Sequence, residues 1–202
     1  VNFSAVGTNY SYFNILDIQN KSSEGVLFTS AISFNELKNI GDTIHGNFEY
    51  VGGSTNGWTL QGDLIIDGNL KLLDNEFNAS LDLAGFNLGV TGNILLDNNS
   101  DTLRFSGGSL SIDSSLTQVR GALDVDSGTI AVDGNYWISS LDGESTGSGK
   151  LIMSNDSGHI TVGGDFLTYS HDLALLTAGI LEVKGNFTQK HHSNYPANFA
   201  SN

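Results

Sequence analysis

The amino-acid sequence predicts an all-β chain wound as a right-handed parallel β-helix, a β-solenoid with coils of about 21 residues. Three observations carry that expectation. A seven-residue phrase returns at a near-constant interval. The residues between its copies alternate apolar and polar. The 25 glycines against one proline supply many tight bends without a polyproline or collagen-like repeat.

The phrase reads apolar, any, Val or Ile, any, Gly, Asn or Asp, apolar. It occurs as Leu64-Ile65-Ile66-Asp67-Gly68-Asn69-Leu70 and as Leu88-Gly89-Val90-Thr91-Gly92-Asn93-Ile94. It returns as "IAVDGNY" (Ile130 to Tyr136), "ITVGGDF" (Ile160 to Phe166) and "LEVKGNF" (Leu181 to Phe187). A degenerate copy, Leu110 to Leu116, has Ser114 in place of the glycine. The marker positions 68, 92, 114, 134, 164 and 185 are spaced by 24, 22, 20, 30 and 21 residues. The long interval contains "LDGESTGSG" (Leu141 to Gly149), which reads as an inserted loop.

Runs such as Leu123-Asp124-Val125 and Leu181-Glu182-Val183 have the period of a half-buried strand. Each period therefore holds two or three short strands, and strands joined in a coil of that length stack parallel on the next coil. Nine or so coils at about 4.8 Å each make a rod roughly 45 Å long. The Gly-Asn step is expected at the corners. There Gly takes positive φ, Asn tolerates the left-handed region beside it, and Asn amides pair from coil to coil as a ladder. The structural corner residues are Gly68, Asn69, Gly92, Asn93, Gly134, Asn135, Gly164, Asp165, Gly185 and Asn186.

One β-solenoid domain is expected over residues 1–202. Residues 1–45 form first coils or a junction segment, residues 46–190 form regular coils with the loop at 141–149, and residues 191–202 form a polar tail or connector. In the first part, Ser11 to Asn20 and Gly25 to Ser33 read as strands. The segment Ser33 to Gly41 offers a turn or two of helix, with Ser33 and Glu36 in capping-box spacing and Phe34 and Leu37 three apart.

Composition narrows the function classes. A formal charge of −14 repels phosphate backbones and anionic membranes, so neither nucleic-acid binding nor membrane insertion is expected. The absence of cysteine excludes disulfides and thiolate chemistry. No run of about 18 apolar residues spans a membrane. A basic segment followed by an apolar one does not open the sequence, so either a secretion signal is already removed or the chain is a piece of a longer one.

A search for chemistry finds no catalytic set. Lyase chemistry on a β-helix needs Ca²⁺-binding acids on adjacent coils and a basic residue, whereas Arg104 and Arg120 are lone cations. Asp124 and Asp126 share a solvent face about 7 Å apart, the separation strand rise alone produces. Asp97 to Asp101 begins like an EF-hand loop, then has Thr102 where Gly belongs and Gly108 where Glu belongs, which leaves adventitious Ca²⁺ as the one metal reading. Ser170-His171-Asp172 are chain neighbours and point apart. His191 and His192 lack zinc spacing. Trp58 and Trp137 are expected as core or corner residues ahead of sugar platforms. Gly163-Gly164 is followed by no helix pattern, so it is no phosphate loop. No catalytic, cofactor or metal residue is expected.

Over its length the chain resembles a repeat unit of very large secreted or surface proteins of clostridia and paenibacilli. The residues that carry this are "YFNILDIQN" (Tyr12 to Asn20), "LDLAGFNLGVTGNI" (Leu81 to Ile94), and the run from "GKLIMSN" (Gly149 to Asn155) through "GGDF" to "LTAGILEVKGNFTQK" (Leu176 to Lys190). The resemblance implies a tandem β-helical stalk of filamentous-haemagglutinin-like style, located outside the cell or on its surface, with no catalytic residue carried over. Neither terminus carries a long amphipathic cap, so end-to-end self-association, as tandem repeats or as a filament, is expected. An adhesin whose side wall grips a surface glycan or host protein is the alternative, and a polysaccharide-degrading β-helix enzyme ranks below both.

Overall fold

The computed structural model of the chain describes residues 2–3, 11–17, 26–28, 32–38, 43–51, 57–72, 79–170 and 175–190. They form three parallel sheets and contain no helix. The first face has nine strands: Asn2–Phe3, Val26–Phe28, Thr43–His45, Leu64–Asp67, Asn87–Val90, Ser109–Ile112, Thr129–Val132, His159–Val162 and Ile180–Val183. They define rungs one to nine. The second face has nine as well: Ser11–Asp17, Ile32–Lys38, Phe48–Tyr50, Leu70–Leu72, Ile94–Leu96, Leu116–Gln118, Tyr136–Ile138, Phe166–Thr168 and Phe187–Gln189. The third has six among the described residues: Trp58–Thr59, Ser80–Asp82, Thr102–Phe105, Ala122–Val125, Lys150–Met153 and Leu175–Leu176.

The chain visits the three faces in turn, and each strand pairs in parallel with its counterpart one coil away. This is a β-solenoid. On the first face, residues 44, 66, 90, 112, 132, 162 and 183 lie in one register column, in steps of 22, 24, 22, 20, 30 and 21. The last five steps equal the spacing of the glycine markers, so the phrase counts coils.

Strand alternation sorts side chains to the two sides of each face. In Leu64–Asp67, Leu64 and Ile66 are buried, and Ile65 and Asp67 are exposed. Stacked in register, the inward residues become columns along the axis. Ile44, Ile66, Val90, Ile112, Val132 and Val162 line the first face, and Leu81, Leu103, Leu123 and Leu151 the third. Phe48, Leu70, Ile94, Leu116, Tyr136 and Phe166 line the second. In the early rungs the core is aromatic: the Trp58 ring centroid lies 5.6 Å from Phe34, 5.5 Å from Phe48 and 5.8 Å from Tyr50. Tyr50 can be buried there because its hydroxyl donates to the Phe34 carbonyl at 3.1 Å.

Two buried inward strand positions among the described residues are polar, Gln118 and Thr168. Gln118 stands where rungs five and seven carry Leu96 and Ile138, and it is wholly buried. Its amide donates to the carbonyls of Gly121 at 2.9 Å and Lys150 at 3.0 Å, and its oxygen accepts the Tyr136 hydroxyl at 2.7 Å. Each bond removes a desolvation cost that an unpaired amide would carry. Burial also pushes the Tyr136 phenol well above its ordinary pKa.

The helix expected within Ser33 to Gly41 is instead the strand Ile32–Lys38, paired over its length with Ser11–Asp17. Phe34 and Leu37 are both buried although three apart, because the strand runs on past the second face and lies beside Trp58–Thr59 of the third. Two strands, Val26–Phe28 and the start of Ile32–Lys38, occupy the segment read as one. The end of the 33–41 segment and the 191–202 tail lie outside the described residues.

Candidate functional site

The recurrent Gly-Asn step lies at the corner between the first and second faces, and there it builds a polar ladder parallel to the axis. Asn47 Oδ1 accepts the backbone N–H of Asn69 at 3.0 Å and its side-chain amide at 2.8 Å. Asn69 Oδ1 accepts Asn93 N at 2.7 Å and Nδ2 at 3.2 Å. Asn93 Oδ1 accepts Ser115 N at 3.1 Å and the Ser114 hydroxyl at 2.8 Å, and Ser115 Oγ accepts Asn135 N at 3.1 Å. Asn135 Oδ1 takes Asp165 N at 2.8 Å, and Asp165 Oδ1 takes Asn186 N at 2.7 Å and Nδ2 at 3.0 Å.

The side chain thus does more than pair with its own kind. Its oxygen caps a backbone N–H of the next coil at the bend, where the sheet ladder is interrupted. That explains why Ser115 and Asp165 can replace asparagine: the essential atom is the acceptor. The Gly46-Asn47 copy escaped the phrase because its first position is Asp42, which is polar.

The glycines act differently from the sequence expectation. Of the five marker glycines, only Gly68 has positive φ, at 158°, next to ordinary extended backbone. Positive φ falls at other bends, including Gly108 (74°), Gly121 (75°) and Gly179 (84°), and the ladder asparagines do not use the left-handed region. The marker glycines are required by close approach. A Cβ on Gly92 would meet Asn69 Oδ1 at 2.5 Å and Gly68 O at 2.7 Å. One on Gly134 would meet Ser114 O at 2.7 Å, and one on Gly185 would meet Gly164 O at 2.5 Å. The glycine amides bond directly downward in the same stack: Gly92 to Gly68 O at 2.9 Å, Gly164 to Gly134 O at 2.9 Å and Gly185 to Gly164 O at 3.0 Å.

The ladder ends, among the described residues, on the ninth rung. Burial changes sharply there. In the second-face column Phe166 is fully buried, and Phe187, stacked on it at 5.2 Å, is 51% exposed. In the inward columns of the same rung, Leu181 and Val183 are only partly buried, above the buried Ile160 and Val162. No strand pairs with the far edge of Ile180–Val183 among the described residues. The result is an apolar platform rimmed by backbone edge groups.

The remaining residues read as potential chemistry are spread apart. Arg104 Nε lies 3.3 Å from Asp124 Oδ2, and Asp126 Oδ1 accepts from Asn155 at 3.0 Å. Asp97 faces Arg120 at 3.7 Å while Asp101 is buried, so the loop they share does not direct them to one point. Among the described residues no group of three or more His, Cys, Asp or Glu side chains is placed to hold a metal ion. Ser170 is buried and donates to Gly149 O at 2.8 Å; His171, Asp172, His191 and His192 lie outside the described residues. Trp58 is core, whereas Trp137 points outward on the second face, half-buried. The Gly163-Gly164 pair belongs to the corner stack: a Cβ on Gly163 would meet Asp133 O at 2.5 Å.

Compared with known protein families, curated proteins and solved structures, the chain matches none.

Proposed function

We propose that this chain is a structural, non-enzymatic module of an extended extracellular β-solenoid, lengthened end to end by further coils on its ninth rung. The observation that carries this is the burial step along one register column, from 0% at Phe166 to 51% at Phe187. A column of inward side chains is completed only by another rung above it, and the exposed edge strand is a template for one. Successive additions of this kind are heterologous and do not close, so they make rods. The resemblance to tandem surface repeats, the low content of charged residues and the acids engaged singly along outer columns support the same reading.

The test is electron microscopy with sedimentation on the purified chain across a concentration series. Rods longer than roughly 45 Å at high concentration, lost in the Val183→Asp/Phe187→Asp variant, support the reading. Dispersed short particles at every concentration, in the wild type as in the variant, overturn it. An adhesin that grips glycan along its side is the second reading, favoured by the outward face of Trp137. A glycan array that is silent for the wild type removes it.

A further inference from the structure

From rung six to rung seven the chain changes how it turns between the second and third faces. Three residues (119–121) separate Leu116–Gln118 from Ala122–Val125, but eleven (139–149) separate Tyr136–Ile138 from Lys150–Met153. The outgoing limb folds back over the second face. A methyl group on Gly143, which has φ 70°, would approach Leu167 Cδ2 to 3.2 Å and Trp137 Cε3 to 4.0 Å. Ser140 Oγ bonds Asp142 Oδ1 at 2.5 Å and accepts Ser145 N at 2.9 Å, which closes the limb on itself.

The returning limb reaches along the axis. Ser148 Oγ donates to Asn99 Oδ1 of rung five at 2.8 Å, and Ser148 N to Val119 O of rung six at 2.7 Å. Gly147 N donates to Tyr169 O of rung eight at 2.9 Å. Lys190, the residue after the ninth-rung strand, donates through Nζ to Gly143 O at 2.7 Å. Its ammonium is also 3.3 Å from Glu144 Oε2 and 5.7 Å from the Tyr169 ring centroid.

Sheet pairing joins each rung to its immediate neighbours only, and a stack coupled in that way frays from its end one rung at a time. The loop reaches from rung five to rung nine. We propose that residues 139–149 form a staple, fastened by Lys190, that makes rungs five to nine open as one cooperative unit. The ninth rung is thereby held in register instead of peeling away alone. The bond from Lys190 to the Gly143 carbonyl and its stacking on Tyr169 carry the fastening, since Glu144 is 78% exposed and an ion pair to it is screened by water.

Native-state hydrogen exchange on the whole chain, at concentrations where it is monomeric, tests the staple independently of end-to-end docking. In the wild type, the amides of Ile180–Gln189 exchange at rates close to those of Phe166–Thr168. In Lys190→Met, Ile180–Gln189 exchange about tenfold faster, the loss expected for a charge-assisted hydrogen bond, while Thr43–His45 and Leu64–Asp67, on rungs three and four outside the unit, are unchanged. Deleting residues 140–146 reproduces the effect, and Glu144→Gln stays within about twofold of wild type, as an exposed pair should. Unchanged protection of Ile180–Gln189 in both Lys190→Met and the deletion overturns the staple. So does an equal acceleration in every rung.

Discussion

Replacing Gly164 by alanine tests why glycine recurs at the first corner. A methyl carbon there would sit 2.8 Å from Gly134 O and 2.9 Å from Gly134 C, and closer still to Asn135 Oδ1. None of these atoms is the end of a long flexible chain, so the two rungs must part by several tenths of an ångström. Overpacking of this kind costs about 1–3 kcal/mol. Parting the rungs also stretches Gly164 N to Gly134 O (2.9 Å) and Asp165 N to Asn135 Oδ1 (2.8 Å), each a bond of about 1 kcal/mol. Against this stands a gain of about 0.4–1 kcal/mol from a less flexible unfolded chain. The net expectation is a loss of about 2–4 kcal/mol. Urea unfolding followed by far-ultraviolet circular dichroism measures it. Gly62→Ala is the control: nothing lies within 4 Å of a Cβ placed there, so only the small gain applies. Gly164→Asn separates close approach from backbone conformation, because asparagine tolerates the left-handed region but carries the same Cβ. A Gly164→Ala protein as stable as Gly62→Ala, or a Gly164→Asn protein restored to wild-type stability, refutes the reasoning.

Other outcomes follow from the same geometry. Asn93→Ala removes the acceptor for Ser115 N and Ser114 Oγ at a solvent-exposed corner, so water substitutes in part and a loss of about 0.5–1.5 kcal/mol is expected in the same unfolding assay. Tyr136 has a folded pKa raised by burial, so its contribution is complete below the unfolded value of about 10 and is lost as pH rises through the folded one. Melting temperatures measured above pH about 10 should therefore fall more steeply for wild type than for Tyr136→Phe. At neutral pH that variant is weaker by about 1–3 kcal/mol, because Gln118 Oε1 is left buried without its donor. Asp142 is held below the usual carboxylate range by the Ser140 hydroxyl and the Glu144 amide, so its contribution to the loop is present above pH about 4 and is lost as pH falls through the lower folded value. Exchange of the Ser140–Ser145 amides, corrected for intrinsic rate, should rise over that acidic range in wild type and be flat in Asp142→Asn.

Coil count and register were legible because the marker phrase is a direct physical repeat: what stacks must recur. The steps 24, 22, 20, 30 and 21 can be read by eye, and the 30 already isolates the loop at 141–149. The role of the marker glycines was not legible. Positive φ and close approach both demand glycine, and only the coordinates show that backbone from the coil below occupies the space of the missing side chain. Ser33 to Gly41 misled because a capping box and a three-residue apolar spacing are local helix signals. Pairing of Ile32–Lys38 with Ser11–Asp17 overrides them, and a strand that passes a corner changes which side faces inward. The staple was invisible for a different reason. Its contacts depend on where a polar loop folds, and nothing in "LDGESTGSG" points to a lysine 47 residues beyond Gly143.

The central claim is that residues one coil apart are spatial neighbours, and the cysteine-free sequence offers a clean measurement of it. Ser111 and Ala131 are exposed register partners on the first face, and Ser111 and Thr161 are two rungs apart. Adjacent rungs place Cα atoms about 4.8 Å apart, inside the range a disulfide spans, whereas two rungs place them nearly 10 Å apart, outside it. Under mild oxidation the Ser111→Cys/Ala131→Cys protein should close an intramolecular bond rapidly, and the Ser111→Cys/Thr161→Cys protein should keep its thiols. Equal closure in both, or closure only in the second, would contradict the solenoid register.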